Sequence, residues 1–251
     1  MKIPTQIDER TARGKLGYLG VCGVSKSFGG VSALEDVSFD IKEGTVAALI
    51  GPNGAGKTTL FNCITGFLTP DRGSVTFAGQ RLERRSPHRV AQAGMVRTFQ
   101  TIRMFPGLTV YESLLTSHSR LGRTSRTNVR DRAQDVIYRL ELEEVANRIC
   151  TELPLLAQRK IEVARALMTE PLAILLDEPT AGATVGERSQ LAELVGRLKS
   201  SGTTVLVIEH NVPFVMDVSD QIVVLNFGKL VANGTAEQIA TNPIVQEIYL
   251  G

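Results

Sequence analysis

Residues Gly51-Pro52-Asn53-Gly54-Ala55-Gly56-Lys57-Thr58 stand between the apolar run Val46-Ala47-Ala48-Leu49-Ile50 and the segment Thr58-Thr59-Leu60-Phe61-Asn62-Cys63-Ile64. A glycine-rich loop closed by Lys-Thr at a strand-to-helix turn is a phosphate-binding loop. It directs the chain to an α/β fold whose parallel sheet presents that turn at its carboxyl edge. Gly51, Gly54 and Gly56 let successive amide N–H groups converge on a polyphosphate, and the helix N-terminus behind them adds donors and a positive dipole end. Lys57 would reach the β- and γ-phosphates as a point charge, and the Thr58 hydroxyl would complete the shell of a magnesium ion. The plain alternative, a glycine-rich turn with a chance lysine, does not account for the complete motif with both flanks in place.

Ala173-Ile174-Leu175-Leu176-Asp177-Glu178 is an apolar run ending in two acids. Uninterrupted apolar runs mark parallel strands covered on both faces, and chemistry in such sheets emerges at the carboxyl ends. Asp177 is therefore placed to hold the magnesium and Glu178 to polarise an attacking water. The competing reading is a helix cap, since Pro179 follows, and it is the phosphate loop that favours catalysis. Three further residues fit the same chemistry. Gln100 closes the short run Val96-Arg97-Thr98-Phe99-Gln100, His210 follows the strand Thr204-Val205-Leu206-Val207-Ile208-Glu209, and Phe28 in Ser25-Lys26-Ser27-Phe28-Gly29-Gly30 carries a ring able to stack on a purine. Alone, each has an ordinary explanation: a surface glutamine, a structural histidine, a core phenylalanine.

From about residue 18 onward the chain resembles the nucleotide-binding subunit of an ABC transporter. Several runs are similar to the ATP-binding subunits of branched-chain amino acid importers. These are Ser25 through Gly30, Gly51 through Gly66, Arg97-Thr98-Phe99-Gln100, Met104-Phe105-Pro106-Gly107-Leu108-Thr109-Val110 and the ending Tyr249-Leu250-Gly251. The resemblance implies a P-loop NTPase domain of ABC type, with a front antiparallel β subdomain and an inserted helical subdomain. It implies that Phe28 stacks on adenine, that Gln100 couples to membrane subunits and joins Thr58 and Asp177 at the metal, and that His210 contacts the γ-phosphate. The nucleotide set would comprise Phe28, Gly51, Asn53, Gly54, Ala55, Gly56, Lys57, Thr58 and Thr59. Implied partners are ATP, Mg2+, two membrane permease subunits and a periplasmic or extracellular solute-binding protein, with the chain peripheral on the cytoplasmic face of the plasma membrane.

Two segments depart from the family pattern. Where members carry a signature resembling Leu-Ser-Gly-Gly-Gln, this chain has Leu153-Pro154-Leu155-Leu156-Ala157, followed by an intact helix Gln158-Arg159-Lys160-Ile161-Glu162-Val163-Ala164-Arg165-Ala166. Pro154 offers neither N–H nor hydroxyl, and leucines replace small residues that permit close approach. After Glu178 the family continues Ala-Gly-Leu and then Asn or Asp, whereas this chain reads Ala181-Gly182-Ala183-Thr184. Both segments serve the opposite subunit's nucleotide in the family dimer, so the expectation is pairing with a second, different ATPase subunit.

Composition bounds the remaining choices. The formal net charge of +2 gives no case for nucleic acid, and Cys22, Cys63 and Cys150 lack metal-ligand spacing and are expected to be reduced thiols. No apolar run approaches bilayer length, and charges near the N-terminus interrupt any signal-peptide core. Residues 1–17 read as a loose extension preceding one domain over 18–251, with the helical insertion at about 101–168. Arg120, Arg123, Arg126, Arg130 and Arg132 form a basic stretch read as a solvated face, or as a contact to anionic lipid or a partner. The function expected is ATP hydrolysis driving solute import. The alternatives are an ABC-type ATPase acting outside transport and a weakly hydrolysing regulatory subunit.

Overall fold

The computed structural model describes residues 18–99, 102–117 and 129–250. The chain opens with two long antiparallel strands, β1 (Leu19–Phe28) and β2 (Val31–Ile41), turning at Gly29-Gly30. Along β2 the buried positions Val37, Phe39 and Ile41 alternate with exposed ones, the pattern of a strand with one wet face. β1 pairs on its other side with β4 (Arg72–Phe77), which pairs with β5 (Gln80–Arg81), completing a four-stranded antiparallel sheet.

The second sheet contains β3 (Val46–Ile50), β6 (Met95–Arg97), β7 (Ala173–Asp177), β8 (Thr204–Ile208), β9 (Gln221–Asn226) and β10 (Lys229–Gly234). Its order is β10-β9-β3-β8-β7-β6, parallel except for the terminal β9–β10 hairpin. Every residue of β3, β7 and β8 is buried, which is why these runs are apolar without alternation. Ala47, Leu49, Leu175 and Leu206 face a core shared with the antiparallel sheet and α1 (Lys57–Ile64). Ile174, Leu176, Val205 and Val207 face the opposite core.

Between β6 and β7 the described residues form α3 (Val110–Ser117), α4 (Val129–Arg139) and α5 (Leu155–Leu167), with α2 (Pro87–Gln92) preceding β6. The crossover from β7 to β8 is α6 (Val185–Ser200); α7 (Val212–Val218), α8 (Ala236–Ala240) and α9 (Pro243–Leu250) complete the chain. The basic stretch departs from a uniformly solvated face. Arg132 is half-buried, with Nη2 donating to the Leu167 carbonyl at 2.9 Å and Nη1 paired with Glu170, so it pins α4 to the end of α5. Arg120, Arg123, Arg126 and the extension 1–17 lie outside the described residues. All three cysteines are free, with Cys63 and Cys150 buried; burial pushes the Cys63 thiol up to about 11.

Candidate functional site

The turn after β3 is held by its own backbone. The Ala55 amide donates to the Pro52 carbonyl at 3.1 Å, and the Gly228 amide, from the β9–β10 hairpin, donates to the Ala55 carbonyl at 3.0 Å. Gly56 caps α1 with φ +97, and a Cβ there would lie 2.5 Å from the Ala33 carbonyl oxygen, so both conformation and space require glycine. The α1 cap has no side-chain hydrogen bond, leaving the first-turn amides available to a ligand. Asn53, Gly54 and Thr58 are exposed, and Thr59 is half-buried.

Lys57 is buried, its Nζ donating to the Gly51 carbonyl at 2.6 Å and the Pro52 carbonyl at 3.0 Å. Burial lowers its pKa, and the negative charge of Glu178 acts in the opposite sense. Among the described residues this buried ammonium donates its hydrogen bonds to the loop carbonyls of Gly51 and Pro52, an arrangement suited to receiving an anion. A Cβ at Gly54 would meet nothing within 4 Å, so the tip of the loop is open. These features fit a bound polyphosphate.

Asp177 ends β7, buried, with Oδ2 accepting from Arg97 Nη2 at 2.7 Å. Glu178 follows with φ +46, a left-handed conformation that turns its side chain off the strand line; its amide donates to the Ile208 carbonyl at 3.0 Å. His210, one residue beyond Glu209, has Nδ1 3.9 Å from Glu178 Oε2 and a side chain 61% exposed. β3, β8 and β7 are adjacent, so Lys57, His210, Asp177 and Glu178 gather at one carboxyl edge. Among the described residues no His, Cys, Asp and Glu cluster cages a metal by itself. The Thr58 hydroxyl and the Asp177 carboxylate are hard oxygen donors of the kind that would hold Mg2+.

Phe28 lies at the end of β1, 47% exposed and outside the core clusters, with Lys26 Nζ 5.6 Å from its ring centroid. Its distance in sequence from the phosphate loop is bridged by the β9–β10 hairpin, since the Glu35 amide donates to the Gly228 carbonyl at 2.8 Å. Gln100 lies outside the described residues.

Two charged residues organise this edge without having been singled out in the sequence. Glu209 is fully buried and accepts from Thr180 N at 2.8 Å, Thr180 Oγ1 at 2.6 Å, His210 N at 3.0 Å and Asn211 N at 3.1 Å. It ties the turn after Glu178 to the turn carrying His210. Arg97 anchors Asp177. The available signal was the same for both: a lone charge at the end of an otherwise apolar strand.

At the departing segments, Leu153 is buried and Pro154 forms the N-cap of α5 without a side-chain bond, with Leu155 39% exposed. Thr184 is the N-cap of α6 in a capping box with Glu187, accepting from the Glu187 amide at 3.4 Å while the Thr184 amide donates to Glu187 Oε2 at 2.8 Å. Thr184 thus retains the capping chemistry that Asn or Asp supplies at such a position.

A family model described as "ABC transporter" matches residues 34–181, more than half of the chain. The chain belongs to the ABC transporter family. Over 248 residues it is 42% identical to the high-affinity branched-chain amino acid transport ATP-binding protein LivG of Salmonella typhimurium, covering 93% of this cassette and 97% of the relative. It is 41% identical to BraF of Pseudomonas aeruginosa, with the same coverage and the same description. Among solved structures, the ADP conformation of an ATP-binding cassette of an ABC transporter superposes with a TM-score of 0.84 at 33% identity, covering 94% of this chain and all of the other. A dimeric post-hydrolysis cassette bound to ADP and Pi superposes at 0.73 with 26% identity, covering 87% and 98%. The cassette therefore has the ABC ATPase fold, with the antiparallel sheet in front and helices between β6 and β7, and its domain binds nucleotide. Among its described residues no helix is long and apolar enough to cross a membrane.

Proposed function

We propose that this cassette hydrolyses ATP to drive import of branched-chain or related amino acids through separate membrane permease subunits, the role carried in the names of its relatives. The observation that carries the catalytic part is the gathering of Lys57, Asp177, Glu178 and His210 on adjacent strand ends. Lys57 and the amides of the loop and first helical turn bind and orient the phosphates, and Phe28 stacks on the base. Thr58 and Asp177, together with Gln100, would hold Mg2+, which would supply charge neutralisation to the bound phosphates. Glu178 accepts the proton of the attacking water, its carboxylate aimed by the fixed turn at residue 178. His210, on a backbone held by Glu209, faces the same space and contacts the γ-phosphate.

The permease contact proposed here is a groove of about 340 Å³ next to Phe99, lined by Thr98, Phe99, Arg103, Ser117, Glu162 and Arg165. Arg165 stacks 4.6 Å from the Phe105 ring centroid and donates to Ser117 Oγ at 3.0 Å and the Arg103 carbonyl at 2.8 Å, so the groove wall is braced across two segments. A pair of permeases, a second and different ATPase subunit and a solute-binding protein outside the membrane complete the assembly, with this chain peripheral on the cytoplasmic face. The altered segment Leu153-Pro154-Leu155-Leu156-Ala157 favours one other reading, a weakly hydrolysing regulatory partner.

Glu178→Gln keeps size and hydrogen bonding but removes the base, so it should retain ATP binding and lose most turnover; Lys57→Ala should weaken binding itself. Affinity and steady-state hydrolysis measured side by side decide, and wild-type turnover by the Gln variant removes Glu178 from the mechanism. Amino acid uptake into vesicles containing the permeases tests the import reading separately.

A further inference from the structure

Arg97, the last residue of β6, is held from three directions. Nη2 lies 2.7 Å from Asp177 Oδ2, and the two side chains are only 10% and 11% exposed. Nη1 donates to Asn62 Oδ1 at 2.6 Å, on α1 behind the phosphate loop, and to Thr65 Oγ1 at 3.4 Å, on the residue that caps the end of α1. The guanidinium carbon sits 4.6 Å from the Phe61 ring centroid, 5.3 Å from that of Phe99 and 5.5 Å from that of Phe67. A planar cation inside three rings with a forked bond to an acid and an amide is arginine-specific packing; a lysine cannot reproduce the fork or the stack. Asp177 needs a positive partner, because a buried carboxylate without one is strongly unfavourable. Two partners are available to it: this guanidinium and a divalent cation at the phosphate site.

We infer that Arg97 is a positioning residue that serves as counter-ion to Asp177 in the metal-free cassette and competes with Mg2+ for its carboxylate, so that it sets the Mg2+ level at which Mg2+–nucleotide is retained. The inference rests on the reading of Asp177 as a metal ligand. With the guanidinium in place, part of the attraction between Asp177 and the metal is already spent. Without it, Asp177 is an unpaired buried anion and holds Mg2+ more tightly. Through its stack on Phe99 the same side chain joins the metal site to the segment that leads to Gln100.

The test uses the full chain and its Arg97→Gln, Arg97→Lys and Asp177→Asn variants. ATP binding is measured by calorimetry over a series of Mg2+ concentrations and in EDTA, and folding is checked by circular dichroism melting. Arg97→Gln should lower the half-saturating Mg2+ concentration roughly tenfold while leaving ATP affinity in EDTA close to wild type. Arg97→Lys, keeping charge without the fork, should fall between Gln and wild type, and it decides by the same criterion where Arg97→Gln does not fold. An unchanged or raised Mg2+ requirement overturns the inference. So does an equal loss of ATP affinity with and without Mg2+, the outcome of a purely structural role. Asp177→Asn separates the two layers: if it leaves the Mg2+ dependence intact, the metal role of Asp177 fails. If it abolishes that dependence while the Arg97 variants do not shift it, only the competition fails.

Discussion

Glu209 shows how much of this site depends on a single buried charge. Its carboxylate satisfies donors on Thr180, His210 and Asn211, and it has no exposure to water. Glu209→Gln turns an NH2 group toward at least one backbone N–H, so the variant should lose about 2–3 kcal/mol of stability, read from its urea midpoint. It should also lower turnover more than ATP affinity, since His210 loses its anchor and the phosphate loop does not. From the sequence, Glu209 is only the residue before a candidate histidine; beyond its neighbours His210 and Asn211, its remaining partner Thr180 lies 29 residues upstream, a proximity the sheet creates. Phe28 is the reverse case, chosen for its ring and found exposed at the end of β1. Phe28→Ala should weaken ATP binding by about 1–2 kcal/mol and Phe28→Tyr should be near neutral in a titration, because stacking depends on the ring face. An undiminished affinity in the Ala variant removes the base contact.

Elements are joined by end-to-end bonds that local sequence signals foretell in part. α6 begins at a capping box whose Thr184 and Glu187 are spaced as such a motif requires, and its end is tied by Lys199 to Asp220 at 2.6 Å. Thr184→Ala should cost about 1 kcal/mol, measured by chemical denaturation. Asp220 also accepts from the Val46 amide at 2.9 Å, joining the end of α6 to the starts of β3 and β9. Burial acts to raise the Asp220 carboxyl, but the Lys199 hydrogen bond, the Val46 amide and the Lys199 charge outweigh it, and the net displacement is downward. A carboxylate lowered in the folded state stabilises the fold above its unfolded value of about 3.9, and this contribution is lost as pH falls through the lower folded value. Asp220→Asn should therefore melt earlier than wild type at neutral pH, with the difference shrinking in melts run below about pH 4. A constant difference across that range would mean that Asp220 contributes without its charge.

At the scale of the whole molecule the two sheets meet at the nucleotide edge. The β9–β10 hairpin bonds both β2 and the phosphate loop through Gly228, so the strand that follows the Phe28 turn is tied to the loop that carries Lys57. The segment Leu153-Pro154-Leu155-Leu156-Ala157 opens α5 with no side-chain cap and with leucines at its first turn, which would weaken a composite site if two cassettes pair as proposed. Replacing Pro154 by Ser and Leu156 by Gly restores a hydroxyl, an amide and access at that helix start. If this segment limits the homodimer, the double variant should hydrolyse ATP faster than the unmodified chain when each is assayed alone. Vigorous cooperative hydrolysis by the unmodified chain, with a homodimer trapped by Glu178→Gln and ATP, would instead rule out the need for a different partner subunit.

Nucleotide chemistry was written in the linear sequence wherever function and local geometry coincide. The phosphate loop needs glycines at 51, 54 and 56, all within six residues, and the strands Ala173–Asp177 and Thr204–Ile208 are apolar without alternation because both faces are covered. Those constraints act within a few residues and survive in one dimension. What the tertiary structure decided is which charges meet. Arg97 and Asp177 are 80 residues apart in the chain, and their pairing follows from β6 lying beside β7 at the sheet edge. Arg132 reads as one more cation in a basic stretch until α4 packs across the end of α5, where its guanidinium meets the Leu167 carbonyl and Glu170. Local propensity determines that a strand or helix forms; the burial of a charge depends on which other element covers it, and that information is distributed over the whole fold.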